Sequence, residues 1–101
     1  MEGMEMVSFQ IISAVGTAKS MYIQALQEAK AGNFEEAEKL IAQGQETFLE
    51  GHKAHSSLIQ KEASGEQLAF SLLLMHAEDQ LMATETTKLL VTELIEIYKA
   101  K

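Results

Sequence analysis

Ala31-Gly32-Asn33-Phe34-Glu35-Glu36-Ala37-Glu38-Lys39-Leu40-Ile41 contains a helix stop followed at once by a helix start. Gly32 can adopt the left-handed backbone that ends a helix, and Asn33 is a residue type that caps the next one. Glu35 and Glu36 then fall in a first turn where the helix dipole favours negative charge. A second break of this kind lies at Ala63-Ser64-Gly65-Glu66. Elsewhere the chain has no proline and is rich in alanine, leucine, glutamate, glutamine and lysine, the composition of long uninterrupted helices. The breaks predict helices over about residues 4–31, 34–63 and 66–100. Connections this short make consecutive helices antiparallel neighbours. The expected fold is all-α, an up-down-up three-helix bundle in which residues 1–101 form one domain.

Apolar residues recur at spacings of three and four along each helix. The first carries Phe9, Ile12, Val15, Ala18, Tyr22, Ala25, Leu26 and Ala29, and the second Ala37, Leu40, Ile41, Gly44, Phe48 and Leu58. Gly16, Gly44 and Gly51 suit close approach of helices, and Met1, Met4 and Met6 read as a frayed end. The third helix differs in having two stripes. Phe70, Leu74, Ala77, Leu81, Val91, Ile95 and Tyr98 form one, and Leu72, Met75, Met82, Leu90 and Leu94 form the other. Within a three-helix unit one stripe packs inward and the second is left over, which predicts an interface between copies.

His76 and Asp79 fall on the second stripe, three residues apart and therefore side by side on the helix surface. A carboxylate on an apolar seam is costly unless it is paired, hydrogen-bonded or bound to a cation. If copies of this helix meet on a symmetry axis, their Asp79 side chains converge. Either a hard oxygen-binding ion such as magnesium or calcium lies between them, or the carboxyls are protonated or hydrogen-bonded. Residue types alone do not separate these possibilities, and a lone histidine on an apolar face is more often a packing residue than a reactive one.

Composition excludes several functions. Without cysteine there are no disulfides, thiolate metal sites or cysteine nucleophiles. A net charge of −7, with eight basic residues that are all lysine, disfavours nucleic acid. No basic segment precedes an apolar core at the start, and no run approaches the ~18 apolar residues of a membrane span, so the expected location is the cytoplasm. No organic cofactor is expected, since no glycine-rich phosphate loop is present.

The segment SLLLMHAEDQLM, residues 71–82, resembles the active-site signature of the IIA components of the lactose, cellobiose and chitobiose class of bacterial phosphoenolpyruvate-dependent sugar phosphotransferase systems. That signature reads approximately S-L-L-L-V-H-A-Q-D-H-L-M. The similarity extends to AGNFEEAEKLI, LIQKEASGE and the ending LLVTELIEIYKAK, and so covers essentially the whole chain. It implies a homotrimer of three-helix subunits, a nine-helix bundle. In such a protein His76 accepts a phosphoryl group from the phosphocarrier HPr and passes it to a cysteine of the IIB component, which serves a membrane-embedded IIC. It further implies that Asp79 from three subunits surrounds a divalent metal, usually magnesium, on the trimer axis. The sugar would be a β-linked disaccharide, with a cellobiose type preferred over lactose or chitobiose.

Departures from the pattern are specific. Glu78 stands where the family has glutamine, and Gln80 where it has a second histidine. GHKAHSSLIQ resembles the pattern A-H-x-x-Q-T-x-L-I, so His52 takes the place of its histidine and His55 of its glutamine. His52 and Gln80 are expected near His76 as supporting residues. His52 and His55 could share a metal, but two histidines without a carboxylate are a weak signal. Two other function classes are weighed. A passive helical adaptor would explain the second stripe but not the motif. A metal-bundle enzyme would need Glu-x-x-His pairs, and Leu49, His52 and Leu73 occupy the positions three before the three histidines.

Overall fold

Both helix stops are glycines with positive φ, Gly32 at 85° and Gly65 at 97°. After each, a backbone N–H reaches back five residues: Asn33 N–H donates to the Glu28 carbonyl at 2.8 Å and Glu66 N–H to that of Lys61 at 3.1 Å. These bonds satisfy carbonyls that a helix end would otherwise leave open. The structure, a computed structural model, describes residues 3–68 and 71–101. They form α1 (Gly3–Lys30), α2 (Phe34–Ala63) and α3 (Leu72–Lys99), with no strand among the described residues. The bundle is all-α and measures 52 × 24 × 20 Å.

Two details of the breaks differ from expectation. Asn33 occupies the N-cap position of α2, but its side chain makes no capping bond; its Nδ2 donates to Glu28 Oε1 at 2.9 Å instead, because the residue is engaged in closing α1. The third helix does not start at residue 66. The Glu66 N–H is used to close α2, and α3 begins at Leu72 behind Ser71, whose extended backbone and Oγ, accepting from Leu74 N–H at 3.0 Å, form an N-cap. Phe70, assigned above to an apolar stripe, and Met1 lie outside the described residues. Met4 and Met6 are already part of α1, and Met4 packs on the core.

The core is built from Ile11, Val15, Ala18, Tyr22, Ala25 and Ala29 of α1, Ala37, Leu40, Phe48 and Leu58 of α2, and Ala77, Leu81, Val91 and Ile95 of α3. At its N-terminal end the α1 stripe is rotated relative to the sequence expectation. Counting back from Val15 by four and then three gives Ile11 and Ser8, both fully buried, whereas Phe9 is 46% exposed and Ile12 only half-buried. α2 approaches α1 through glycine. A Cβ on Gly44 would lie 2.6 Å from Cε1 of Tyr22, and one on Gly51 would lie 2.9 Å from a methyl of Val15. Gly16 is different, being exposed with nothing within 4 Å of a Cβ, so it is not a packing glycine. The Tyr22 hydroxyl has no hydrogen-bond partner, and burial raises its pKa, so the ring fills space as a neutral group.

α3 packs chiefly on α1. Fully buried Thr84 donates to the Val15 carbonyl at 3.4 Å across that seam. α3 touches α2 much less, and among the described residues two polar side-chain contacts join those helices near opposite ends. One is His55–Glu78 at 2.9 Å and the other Lys99–Glu38 at 2.6 Å. These pairings make α2 and α3 antiparallel.

The Gly44 contact yields a test. Alanine gains roughly 1 kcal/mol of helix propensity over glycine, but here its methyl must displace an aromatic ring in a packed core, where overpacking costs about 1–3 kcal/mol. Gly44→Ala should therefore lower stability by up to about 2 kcal/mol in urea unfolding, while Gly16→Ala should raise it by roughly 0.5–1 kcal/mol. Equal responses at the two sites would show that the Tyr22 ring does not define the α1–α2 spacing.

Candidate functional site

α3 has apolar side chains on two nearly opposite faces. Ala77, Leu81, Thr84, Val91 and Ile95 are buried against the rest of the bundle. On the other side Leu72, Met75, Met82, Leu90 and Leu94 are exposed, Leu72 at 79% and Met82 at 58%. Leu89 and Ile97 widen this face, at 63% and 54% exposed. The second stripe read from the sequence is thus left unpartnered by the single chain. Burying each such side chain would be worth about 1.5–3 kcal/mol, so the face is poised for a partner.

His76 and Asp79 are both exposed at the N-terminal end of this face. They line one shallow depression with Leu72, Leu73 and Met75. At 100° per residue Asp79 lies near the middle of the exposed stripe and His76 at its edge, where a ring nitrogen remains reachable from solvent. The first turn of α3 has no acidic residue. An anionic group brought to His76 therefore meets no carboxylate from the turn that precedes it, and the positive end of the helix dipole lies on that side.

Gln80 follows His76 by four residues, is half-buried, and sits beside it along the helix. His52 is exposed on α2 and stacks on Phe48, with ring centroids 6.4 Å apart and planes 20° from parallel. The α2 histidine that reaches α3 is His55, one turn further on. Its Nε2 lies 2.9 Å from Oε2 of Glu78, with the two side chains 20% and 41% exposed. The two departures from the family pattern at positions 55 and 78 therefore meet in space. Residue-by-residue reading missed the pair because it spans two helices and 23 residues of sequence.

Asp79 suits a hard cation by donor type, as an exposed carboxylate. Among the described residues no cluster of three or more histidine, cysteine, aspartate or glutamate side chains could hold a metal. A metal at Asp79 would accordingly need donors from outside this chain, such as other copies of Asp79. His52 and His55 are directed to different neighbours, Phe48 and Glu78. Among the described residues no helix is long and apolar enough to cross a membrane.

The sequence profile of the lactose/cellobiose-specific IIA subunit of the phosphotransferase system (PTS) matches residues 6–99. The oligo-β-mannoside-specific EIIA component of Bacillus subtilis (strain 168) is 47% identical over 97 residues, which cover 96% of this chain and 88% of that protein. The crystal structure of the PTS cellobiose-specific enzyme IIA from Bacillus anthracis superposes with a TM-score of 0.96 at 41% identity, over 99% of this chain and 92% of that one. A IIA(chitobiose) solved in solution in complex with HPr, from the Escherichia coli N,N'-diacetylchitobiose branch, gives a TM-score of 0.84 at 33% identity, over 99% and 97%. With its motif, its three-helix fold and near full-length similarity in agreement, this chain belongs to the lactose/cellobiose-specific IIA family of the sugar phosphotransferase system.

Proposed function

We propose that this protein is a phosphoryl carrier in which His76 takes a phosphoryl group from phosphorylated HPr and delivers it to a cysteine of a IIB component. The observation that carries the reading is the exposure of His76 at the edge of an unpartnered apolar face. A carrier needs a nucleophile that two different proteins can approach in turn. In the first step a ring nitrogen of neutral His76 forms a bond to phosphorus as the bond to the HPr donor breaks. In the second a IIB thiolate attacks phosphorus and the nitrogen of His76 leaves. An imidazole suits both roles, being nucleophilic near neutral pH and a fair leaving group from its phosphoramidate. Such transfer depends mainly on in-line positioning, which docked partners supply, so the carrier needs little machinery of its own. Met75, Leu72 and Leu73 around the imidazole offer an apolar surface for that docking. A neighbour captured with HPr supports this partner.

The exposed stripe of α3 is proposed to close as a homotrimer, with three copies of α3 on the axis and nine helices in all. Asp79 near the middle of the stripe then meets its symmetry mates, and three carboxylates at close range require a counter-charge. Asp79 from each copy would hold a divalent cation, magnesium by preference, which when bound offsets most of that charge. His76, at the stripe edge, stays open at the rim. The proposed location is the cytoplasm, where HPr and IIB would meet it, with a membrane-embedded IIC as an indirect partner. The substrate is proposed to be a β-linked disaccharide, cellobiose before lactose or chitobiose; the cellobiose-specific neighbour supports that order, while the oligo-β-mannoside relative widens the range to be assayed.

Incubation with phosphoenolpyruvate, enzyme I and HPr, followed by intact-mass measurement at neutral or mildly alkaline pH, should show one added phosphoryl group per chain. It should be acid-labile and absent from His76→Ala, whose helical circular dichroism is unchanged. No mass shift on the wild type with active HPr would favour a passive oligomeric adaptor. Asp79→Leu should remain trimeric by sedimentation and lose the bound divalent ion measured by metal analysis; metal retained at wild-type stoichiometry would place the ion elsewhere.

A further inference from the structure

We propose that His55 is a positioning residue for the phosphoryl step at His76: it holds the Glu78 carboxylate on the α2 side of α3 and partly offsets its charge, so that phosphorylated His76 is less opposed by Glu78. The inference rests on the carrier reading above. Its starting point is the contact between Nε2 of His55 and Oε2 of Glu78 at 2.9 Å. Glu78 lies two residues beyond His76, so the two side chains leave α3 in different directions and do not compete for one contact. Their coupling is through charge. A phosphoryl group on His76 brings up to two negative charges to a helix turn that already carries Asp79 on the same face.

A side-chain separation of roughly 10 Å follows from helix geometry. At that range, in a water-like dielectric, an unpaired carboxylate opposes a dianion by enough to shift an equilibrium about fourfold before salt screening, and roughly threefold with the screening of a dilute buffer. An imidazole N–H donating to the carboxylate holds it on the α2 side and partly offsets its field at His76. The same bond fixes where the Glu78 side chain lies. α3 makes few contacts with α2, and the other ion pair between them, Lys99–Glu38, is at the far end of the bundle. His55 is therefore the polar tie from α2 that acts nearest the phosphorylation site.

The test is a double-mutant cycle on the full chain, reading the equilibrium constant for phosphoryl exchange with HPr by intact mass or phosphorus NMR. His55→Ala should lower the phosphorylated fraction, with the constant falling about threefold at low salt and the loss shrinking at high salt. Glu78→Gln, which removes the charge, should not lower it. The double variant should recover to the Glu78→Gln value. Should His55→Ala fail to fold, His55→Gln takes its place in the same cycle. A double variant as impaired as the single His55 variant, or a loss insensitive to salt, would make His55 a structural residue only and overturn the proposal. An unphosphorylated wild type would instead defeat the carrier reading; a phosphorylated wild type with equal constants across the cycle would defeat only the role of His55.

Discussion

α3 carries large apolar side chains on two faces while the single chain covers only one, and the placement of His76 and Asp79 follows from that. Its inner face, Ala77, Leu81, Thr84, Val91 and Ile95, is committed to the bundle. Its outer face keeps Leu72, Met75, Met82, Leu90 and Leu94 in water although nothing in the single chain covers them. Leaving several large apolar side chains exposed is unfavourable by several kcal/mol relative to burial, which only an assembly or a docked partner recovers. Within that face the helical repeat assigns a central position to Asp79 and a marginal one to His76. The same periodicity that would hide a carboxylate among its symmetry mates leaves the imidazole within reach of other proteins.

The inner half of the structure makes this possible by being rigid and narrow. α1 contributes small residues, Ala14, Ala18, Ala25 and Ala29, and α2 answers with Gly44 and Gly51, so the helices approach closely around Tyr22 and Val15. A tightly joined α1–α2 pair presents one surface on which α3 can rest, and Thr84 adds a hydrogen bond to the Val15 carbonyl there. α3 does not need to penetrate between its neighbours. Its outer face stays broad because its inner face needs only a single stripe.

The helix count, both glycine stops, the α2 stripe and the two-sidedness of α3 were legible from local chemistry and the 3.6-residue repeat. Each of those depends on residues near one another in sequence. The start of α3 was not, because Gly65-Glu66 was read as stop and start together, as at Gly32-Asn33. In the structure Glu66 serves only the stop, and the chain continues to the better cap at Ser71. The phase of α1 near its N-terminus was ambiguous for a similar reason, since Ile11 and Ile12 are adjacent and Phe9 outweighs Ser8 in hydrophobicity; the alanines and Tyr22 further along decide it. The His55–Glu78 contact lies beyond any single-helix pattern, as it joins residues 23 positions apart. His76 and Asp79 themselves were visible as polar residues on an apolar seam, but only the family motif pointed to a reactive histidine in place of a packing one.

The seam between α2 and α3 is joined by polar side-chain contacts where the seam with α1 is held by burial, and the two kinds of contact differ in how freely they can be changed. Buried contacts such as those of Val15, Tyr22 and Leu81 cannot be altered without cavities or clashes, at costs of about 2–5 kcal/mol for large-to-small changes. Ion pairs at partly exposed positions contribute at most about 1 kcal/mol to stability and can be exchanged almost freely. Glu78 and His55 are such positions, part-buried, paired and adjoining the turn that carries His76. Electrostatic changes there act on the turn that carries His76 without passing through the core. Under the proposed carrier role, this seam is where charge near His76 can be exchanged without disturbing the packed core.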